Sequence, residues 1–282
     1  GELVKNLGLG DLYDLVESGD WTLEQLLTMM AKNTYNLDSD EAMTFADSFG
    51  LGYNVWAGRA LLWGAGLSLA KYENNEVQFT LTSQQNIDIH STVYSLLKDY
   101  DYSYYTGNAN VASPTGDLKL FKEGRALFEI HALRFSAEFS STMKDYGVLP
   151  MPKYNKEQTD YITPLLGTVY FGIMKTSKDV SRSANILEAL SILSYVDILP
   201  VYYEDMLKFN YQTDPKSSAM LDKIRDCIQV DFTFINSNSF NTLADSPFGL
   251  ISSNQKDKYV STMEGKMTAL PGLLEQFMKV YE

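Results

Sequence analysis

Apolar positions recur along the chain at two spacings, one close to 3.6 residues and one of 2, which predict helices and strands respectively. The sharpest local pattern is Trp21-Thr22-Leu23-Glu24-Gln25-Leu26. Thr22 and Gln25 have capping-box spacing and Trp21 and Leu26 fill the two staple positions, so a helix is predicted from about Leu23. Leu23, Leu26, Leu27 and Met30 then lie on one side, giving a single buried face to about Asn33. Ser83 reads as the N-cap of a second helix running to about Asp99, with Ile87, Val93, Tyr94 and Leu97 apolar. Between the two lies an acidic loop, Asn36 to Asp47.

Tyr100 to Gly116 is polar and rich in tyrosine, glycine and asparagine, which predicts a long surface loop. A short helix over Asp117 to Glu123 is stopped by Gly124, whose missing Cβ permits a left-handed turn. Arg125 to His131 alternates as a strand, and Tyr146 to Met151 and Thr168 to Lys175 are predicted to be two more. From Asp179 onward helix dominates: about Arg182 to Val196, Val201 to Lys208, and Pro215 to Ile228, the last with Asp214 and Pro215 at N-cap and N1. Gln255 to Tyr281 closes the chain, with Pro271 bending or restarting it. Few strands scattered among many helices predict an α/β architecture rather than a helical bundle.

Composition narrows the partners. The chain has 282 residues, is 45% hydrophobic and 21% charged, and carries a net charge of −13. That size allows one large domain or two lobes, the composition is that of an ordinary soluble globular protein, and no apolar run approaches the ~18 residues a spanning helix needs. The acid excess repels phosphate backbones, so nucleic acid is not an expected partner, and no Lys or Arg block exists for an anionic membrane. One cysteine, Cys227, allows no internal disulfide and no Cys-based zinc site, and His90 and His131 fall in no metal-binding pattern. Neither metal nor cofactor is expected. Gly1 to Gly8 has no basic stretch followed by an apolar one, so it does not read as a signal peptide.

Four segments, in order, resemble one family. Leu12-Tyr13-Asp14-Leu15-Val16 ahead of Ser18-Gly19-Asp20-Trp21-Thr22-Leu23 is similar to a helix followed by a G-x-W-T helix. Leu120-Phe121-Lys122-Glu123-Gly124-Arg125-Ala126-Leu127-Phe128 is similar to an F-x-x-G-x-A-x-F helix-to-strand unit. Asp145-Tyr146-Gly147-Val148-Leu149-Pro150-Met151-Pro152 resembles a G-[IV]-x-P-x-P crossing strand, and Thr176-Ser177-Lys178 through Leu187-Glu188-Ala189-Leu190 the T-S-K helix after it. Together they resemble the bacterial extracellular, sugar-type (family 1) solute-binding proteins of ABC transporters. The resemblance implies an α/β, periplasmic-binding-protein-like class II fold. Residues 1–145 and 201–282 would form a helix-rich C-terminal lobe, and 146–200 a remnant of an incomplete N-terminal lobe. It also implies a lipoprotein at the cell surface or in the periplasm, and no enzymatic activity. The partners would be a sugar or oligosaccharide and a membrane permease. Self-association through a sheet edge left without its neighbours is a further expectation. A truncated module that lost its ligand and kept only protein contacts is the alternative.

The resemblance puts the ligand in a cleft where aromatic faces stack on sugar rings and polar groups bond the hydroxyls. Tyr53, Trp56 and Trp63 fit that role, as do Arg134 beyond the Arg125–His131 strand, Tyr170 and Phe240. Each has a plainer reading as core packing or, for Arg134, as a surface charge. Asn36-x-Asp38-x-Asp40 with Asp47 in twelfth place resembles a calcium loop, yet Glu41 stands where glycine is needed, which favours a solvated acidic loop. A glycan-cleaving enzyme would need two carboxylates ~5–9.5 Å apart, and no acid here sits in a recognisable catalytic motif.

Overall fold

Residues 1–107, 116–135, 143, 146–167, 171–207 and 215–279 are described by a computed structural model. Two short helices, α1 (Glu2–Asn6) and α2 (Leu12–Glu17), lead into α3 (Leu23–Lys32). That third helix starts where its capping box predicts: the Gln25 N–H donates to Thr22 Oγ1 at 3.4 Å, and Trp21, Leu23, Leu26 and Met30 are all buried. Asn33, just past its end, donates from Nδ2 to the Phe49 carbonyl at 2.9 Å and so ties the helix to the strand it covers. Gly50 lets the two approach, because a Cβ there would overlap the backbone of Met30.

That strand is β1 (Phe49–Tyr53), followed by α4 (Val55–Gly64), a hairpin of β2 (Ala70–Glu73) with β3 (Glu76–Phe79), and α5 (Gln84–Tyr94), whose last turn widens into a π-helical stretch over Ser95–Asp99. Then come β4 (Ser103–Tyr105), α6 (Gly116–Lys122) and β5 (Ala126–Glu129). The order in the sheet is β4-β1-β5, and both pairings are parallel. Gly124, at φ +70, ends α6 in the left-handed turn expected of it. Asn86 clamps the hairpin against α5: its Nδ2 donates to the carbonyls of Ser68 and Thr80 at 2.7 and 2.8 Å, and its Oδ1 accepts from the Ser68 N–H at 3.2 Å. Helix 84–94 is capped by Ser83, as its sequence predicts.

Beyond the sheet, β6 (Thr163–Pro164) precedes α7 (Val180–Leu193), and α8 (Pro215–Asp226) leads to β7 (Ile228–Gln229), which pairs with β6 in parallel. Four short helices finish the chain: α9 (Phe232–Ile235), α10 (Ser246–Ser252), α11 (Tyr259–Met267) and α12 (Leu270–Met278). Pro271 falls in the first turn of the last one, so it restarts the helix rather than bending it. The molecule is mixed α/β and 53% helical, with small sheets. One main core joins α2 through α5 to α10, α11 and α12.

Several expectations need correction. Ser103–Tyr105 is a strand inside what reads as loop, because the tyrosines satisfy a pleated, half-buried surface better than solvent. Tyr146 to Met151 forms no ladder among the described residues: Pro150 and Pro152 have no N–H to give, and Lys153 beyond them bridges to Trp21 and Leu23, at 3.0 and 2.8 Å. Of the strand expected over 168–175, residues 168–170 lie outside the described residues and Phe171 to Met174 are irregular. The helices expected over 182–196 and 201–208 are one continuous helical run. Pro200 is absorbed by π turns on either side, Ser194–Ile198 and Val201–Leu207, because a wider turn relieves the clash of the ring with the preceding turn. The N-cap expected at Asp214 lies outside the described residues.

The run Val180–Glu204 also revises the view of apolar stretches. It is 25 residues long and its most apolar 18-residue window has a mean hydropathy of 1.4, enough by length and composition to cross a membrane, although Glu188 and Asp197 interrupt it. None of its most apolar window is buried.

Candidate functional site

Because β4, β1 and β5 run parallel, their carboxyl ends meet on one side, with Gly52 level with both Tyr104 and Glu129. Parallel α/β sheets offer ligands the crevice outside those ends. The first residue past β1, Asn54, caps α4: its Oδ1 accepts from the backbone N–H groups of Trp56 and Ala57 at 2.9 and 3.1 Å. This fixes Trp56 in the first turn, at the rim of the crevice, with 52% of its surface open. Arg59, nearly one turn on, sets its guanidinium 4.9 Å from the centre of the Trp56 ring and pairs with Asp245 at 2.7 Å. The indole is thereby held by a cation that is itself anchored.

Beneath the rim, Tyr53 is 1% exposed and packs on Tyr105 with ring centres 5.2 Å apart. Burial pushes the Tyr53 phenol well above its ordinary range, so it stays neutral. Thr106 locks the end of β4 to the end of β1, donating from both its N–H and its hydroxyl to the Tyr53 carbonyl at 2.9 and 3.1 Å. Lys98 lies over the outer side of this pair, 5.8 Å from the Tyr105 ring, and burial lowers its pKa.

A cavity of about 1070 Å³ runs beside β5, the outer strand of the sheet among the described residues, toward Tyr146–Pro152. Phe128 and Trp21 form one wall, their rings 5.6 Å apart, and the Trp21 indole donates to the Pro150 carbonyl at 2.9 Å. Glu129 and His131 stand at the carboxyl end of this wall. His131 Nδ1 accepts from the Ala132 N–H at 2.9 Å, which puts the proton of the neutral ring on Nε2, and Phe135 meets the ring edge-on. The rim offers an aromatic face held by an anchored guanidinium, and the cavity offers aromatic faces with a carboxylate and an imidazole; Trp56 and Arg59 are not among the residues that line the cavity.

The residues singled out from the sequence do not converge. Trp56 is on the rim. Tyr53 forms its buried floor. Trp63 is 4% exposed, edge-on to Phe234 at 5.9 Å, because the last turn of α4 lies over the core whereas its first turn projects past the sheet. Phe240 is 1% exposed within an aromatic cluster of Phe79, Phe232 and Phe277. Arg134 falls in the turn Leu133–Phe135, with its side chain outside the described residues, and Tyr170 lies outside them altogether. Asn54, Arg59 and Tyr105 escape a reading by sequence alone. The Phe49, Leu51, Tyr53 alternation, spaced by glycines, is the signal for β1 that would have located them.

The acidic loop is organised from within. Asp47 accepts from the N–H groups of Leu37 and Thr44, both at 2.7 Å, and these bonds, Thr44's first, hold its carboxyl below the usual range. No group of three or more His, Cys, Asp or Glu side chains suited to a metal occurs among the described residues. Cys227 is half-buried, and burial pushes its thiol up, away from reactivity. No family model matches the chain, and no curated protein matches it either.

Proposed function

We propose that this protein is a non-catalytic solute-binding component of an ABC importer, which captures a carbohydrate-like ligand and presents it to a membrane permease at the cell surface. The architecture that goes with this reading is periplasmic-binding-protein-like. The observation that carries it is Trp56, an anchored indole left half-open at the carboxyl ends of three parallel strands. A sugar ring laid on that face buries apolar area, while the polar groups of the rim answer its hydroxyls.

Of the three tryptophans only Trp56 is exposed, so an emission change on adding a sugar that is lost in Trp56→Ala reports on Trp56, and one that persists reports on Trp21 in the cavity wall. Titration with a panel of mono- and oligosaccharides, read by emission and by thermal shift, is expected to give saturable binding with a raised Tm. Trp56→Ala should weaken that binding by about tenfold or more, since stacked aromatic faces contribute about 1–2 kcal/mol, and leave the unliganded Tm unchanged. A panel without a single responder sinks the proposal. A protein-interaction module is the second reading, favoured by the uncovered helix at Val180–Glu204.

A further inference from the structure

The uncovered helix has an internal order of its own. At about 100° per residue, Arg182, Ile186, Ala189, Leu190 and Leu193 fall in one stripe about 100° wide, and Asp197, four residues on through the wider turn Ser194–Ile198, returns to the same side, so a cation stands at the start and an anion at the end. Ile186, Leu190 and Leu193 are each more than half exposed, and Arg182 and Asp197 are exposed as well. We propose that this stripe is a self-association surface, on which a second copy of the chain packs its own α7 in antiparallel sense about a two-fold axis.

The register follows from the charges. In a two-fold antiparallel pair, residue i of one copy faces residue j of the other and j faces i. Setting Arg182 against Asp197 brings Ile186 onto Leu193 and Ala189 onto Leu190 of the other copy, twice over, so one choice satisfies both the ionic and the apolar positions. The two ion pairs lie about 22 Å apart, 15 residues at 1.5 Å each, and close the apolar seam at both ends. Charge also points to this face. Within residues 171–204, Lys175, Lys178 and Arg182 nearly balance Asp179, Glu188, Asp197 and Glu204, while the whole chain is at −13. Two copies that repel elsewhere can approach here. A bilayer is a poorer cover, because Glu188 and Asp197 would enter it and the three cations at its start, Lys175, Lys178 and Arg182, are fewer than a lipid-binding cluster needs and are offset by Asp179. The inference is independent of sugar capture, which uses Trp56.

Sedimentation equilibrium of the full chain from about 1 to 100 µM tests it, with affinities read as in any two-state association. The wild type is expected to dimerise in that range. Arg182→Asp alone and Asp197→Arg alone should each weaken dimerisation about tenfold or more, because each reversal sets like charges together at both ends. The double variant R182D/D197R should return to within about threefold of wild type. Leu190→Asp should be monomeric with an unchanged circular-dichroism spectrum, since its side chain is more than half exposed. A monomeric wild type overturns the proposal, as do a dimer indifferent to Leu190→Asp and a double variant no better than either single one. Flotation of the wild type with phosphatidylcholine/phosphatidylglycerol vesicles overturns it in favour of lipid.

Discussion

Helices α3 and α7 are both rich in long aliphatic side chains, yet one is sealed in the core and the other is bare. In α3 the apolar residues Leu23, Leu26 and Met30 keep to one side and Glu24, Thr28 and Lys32 to the other, so the sequence specifies which face turns inward. In α7, Ile186, Leu187, Leu190, Ile192 and Leu193 spread around most of the circumference. An apolar stripe names a direction; an apolar cylinder only demands a cover, and nothing local says where that cover comes from.

Paired truncations break this comparison most sharply. Leu26→Ala should cost about 2–5 kcal/mol of unfolding free energy by urea denaturation, the usual result of emptying a sealed site. Leu190→Ala, measured at dilution, should stay within about 0.5 kcal/mol of wild type. Equal losses would mean that α7 is packed on its own chain after all.

Acidity should separate the two regions next. His90 is buried in the core, with Nε2 on the Pro247 carbonyl at 3.1 Å and its ring stacked on Tyr259 at 4.3 Å, and burial pushes its pKa down to about 4. The unfolded imidazole titrates near 6.5, so between those two values the unfolded chain binds the extra proton and stability falls as the pH is lowered. The loss by pH 4 is on the order of 3 kcal/mol. His90→Gln should flatten this slope, whereas the helicity of α7, which contains no histidine, should not follow it. A wild-type stability that is level from pH 6.5 to 4 would show that the ring is not neutral in the folded state.

The smallest contrast is between caps. Thr22→Ala should lower global stability by about 1 kcal/mol, because α3 folds with the core. Asp179 caps α7 in the same manner, accepting from the Arg182 N–H at 2.8 Å, yet Asp179→Ala should fray only that helix and leave the midpoint of unfolding where it was. Amide exchange resolves the two cases residue by residue.

These contrasts also mark how far the sequence can be read. Caps and one-sided helices are local, so Thr22, Ser83 and Gly124 were all legible. Strand β1 was not, because Gly50 and Gly52 hide its alternation, and β4 was not, because a strand of tyrosines resembles a surface loop until its parallel partner is known. The hairpin turn at Asn74-Asn75, with φ of +55 and +64, was legible in principle, since asparagine is among the few residues that tolerate two left-handed positions in succession. At the site, the residue types pointed to Tyr53, Trp56 and Trp63, but which of three neighbouring aromatics stays open is decided by where α4 overhangs the sheet. That depends on residues far away in the chain, such as Phe234, which meets Trp63.

The π turns flanking Pro200 have a mechanical corollary. Each wide turn adds a residue to the winding, so the phase of everything downstream depends on it. Tyr203, the first sealed side chain after the long bare run, reaches the Leu221 carbonyl with its hydroxyl only at the present phase. Rewinding Ser194–Ile198 as ordinary α-helix with every residue kept would swing Tyr203 by roughly 90°, unlatching the helix from the body at its only buried hinge pin among the residues from Phe171 to Glu204, whereas deleting one residue there would restore the phase.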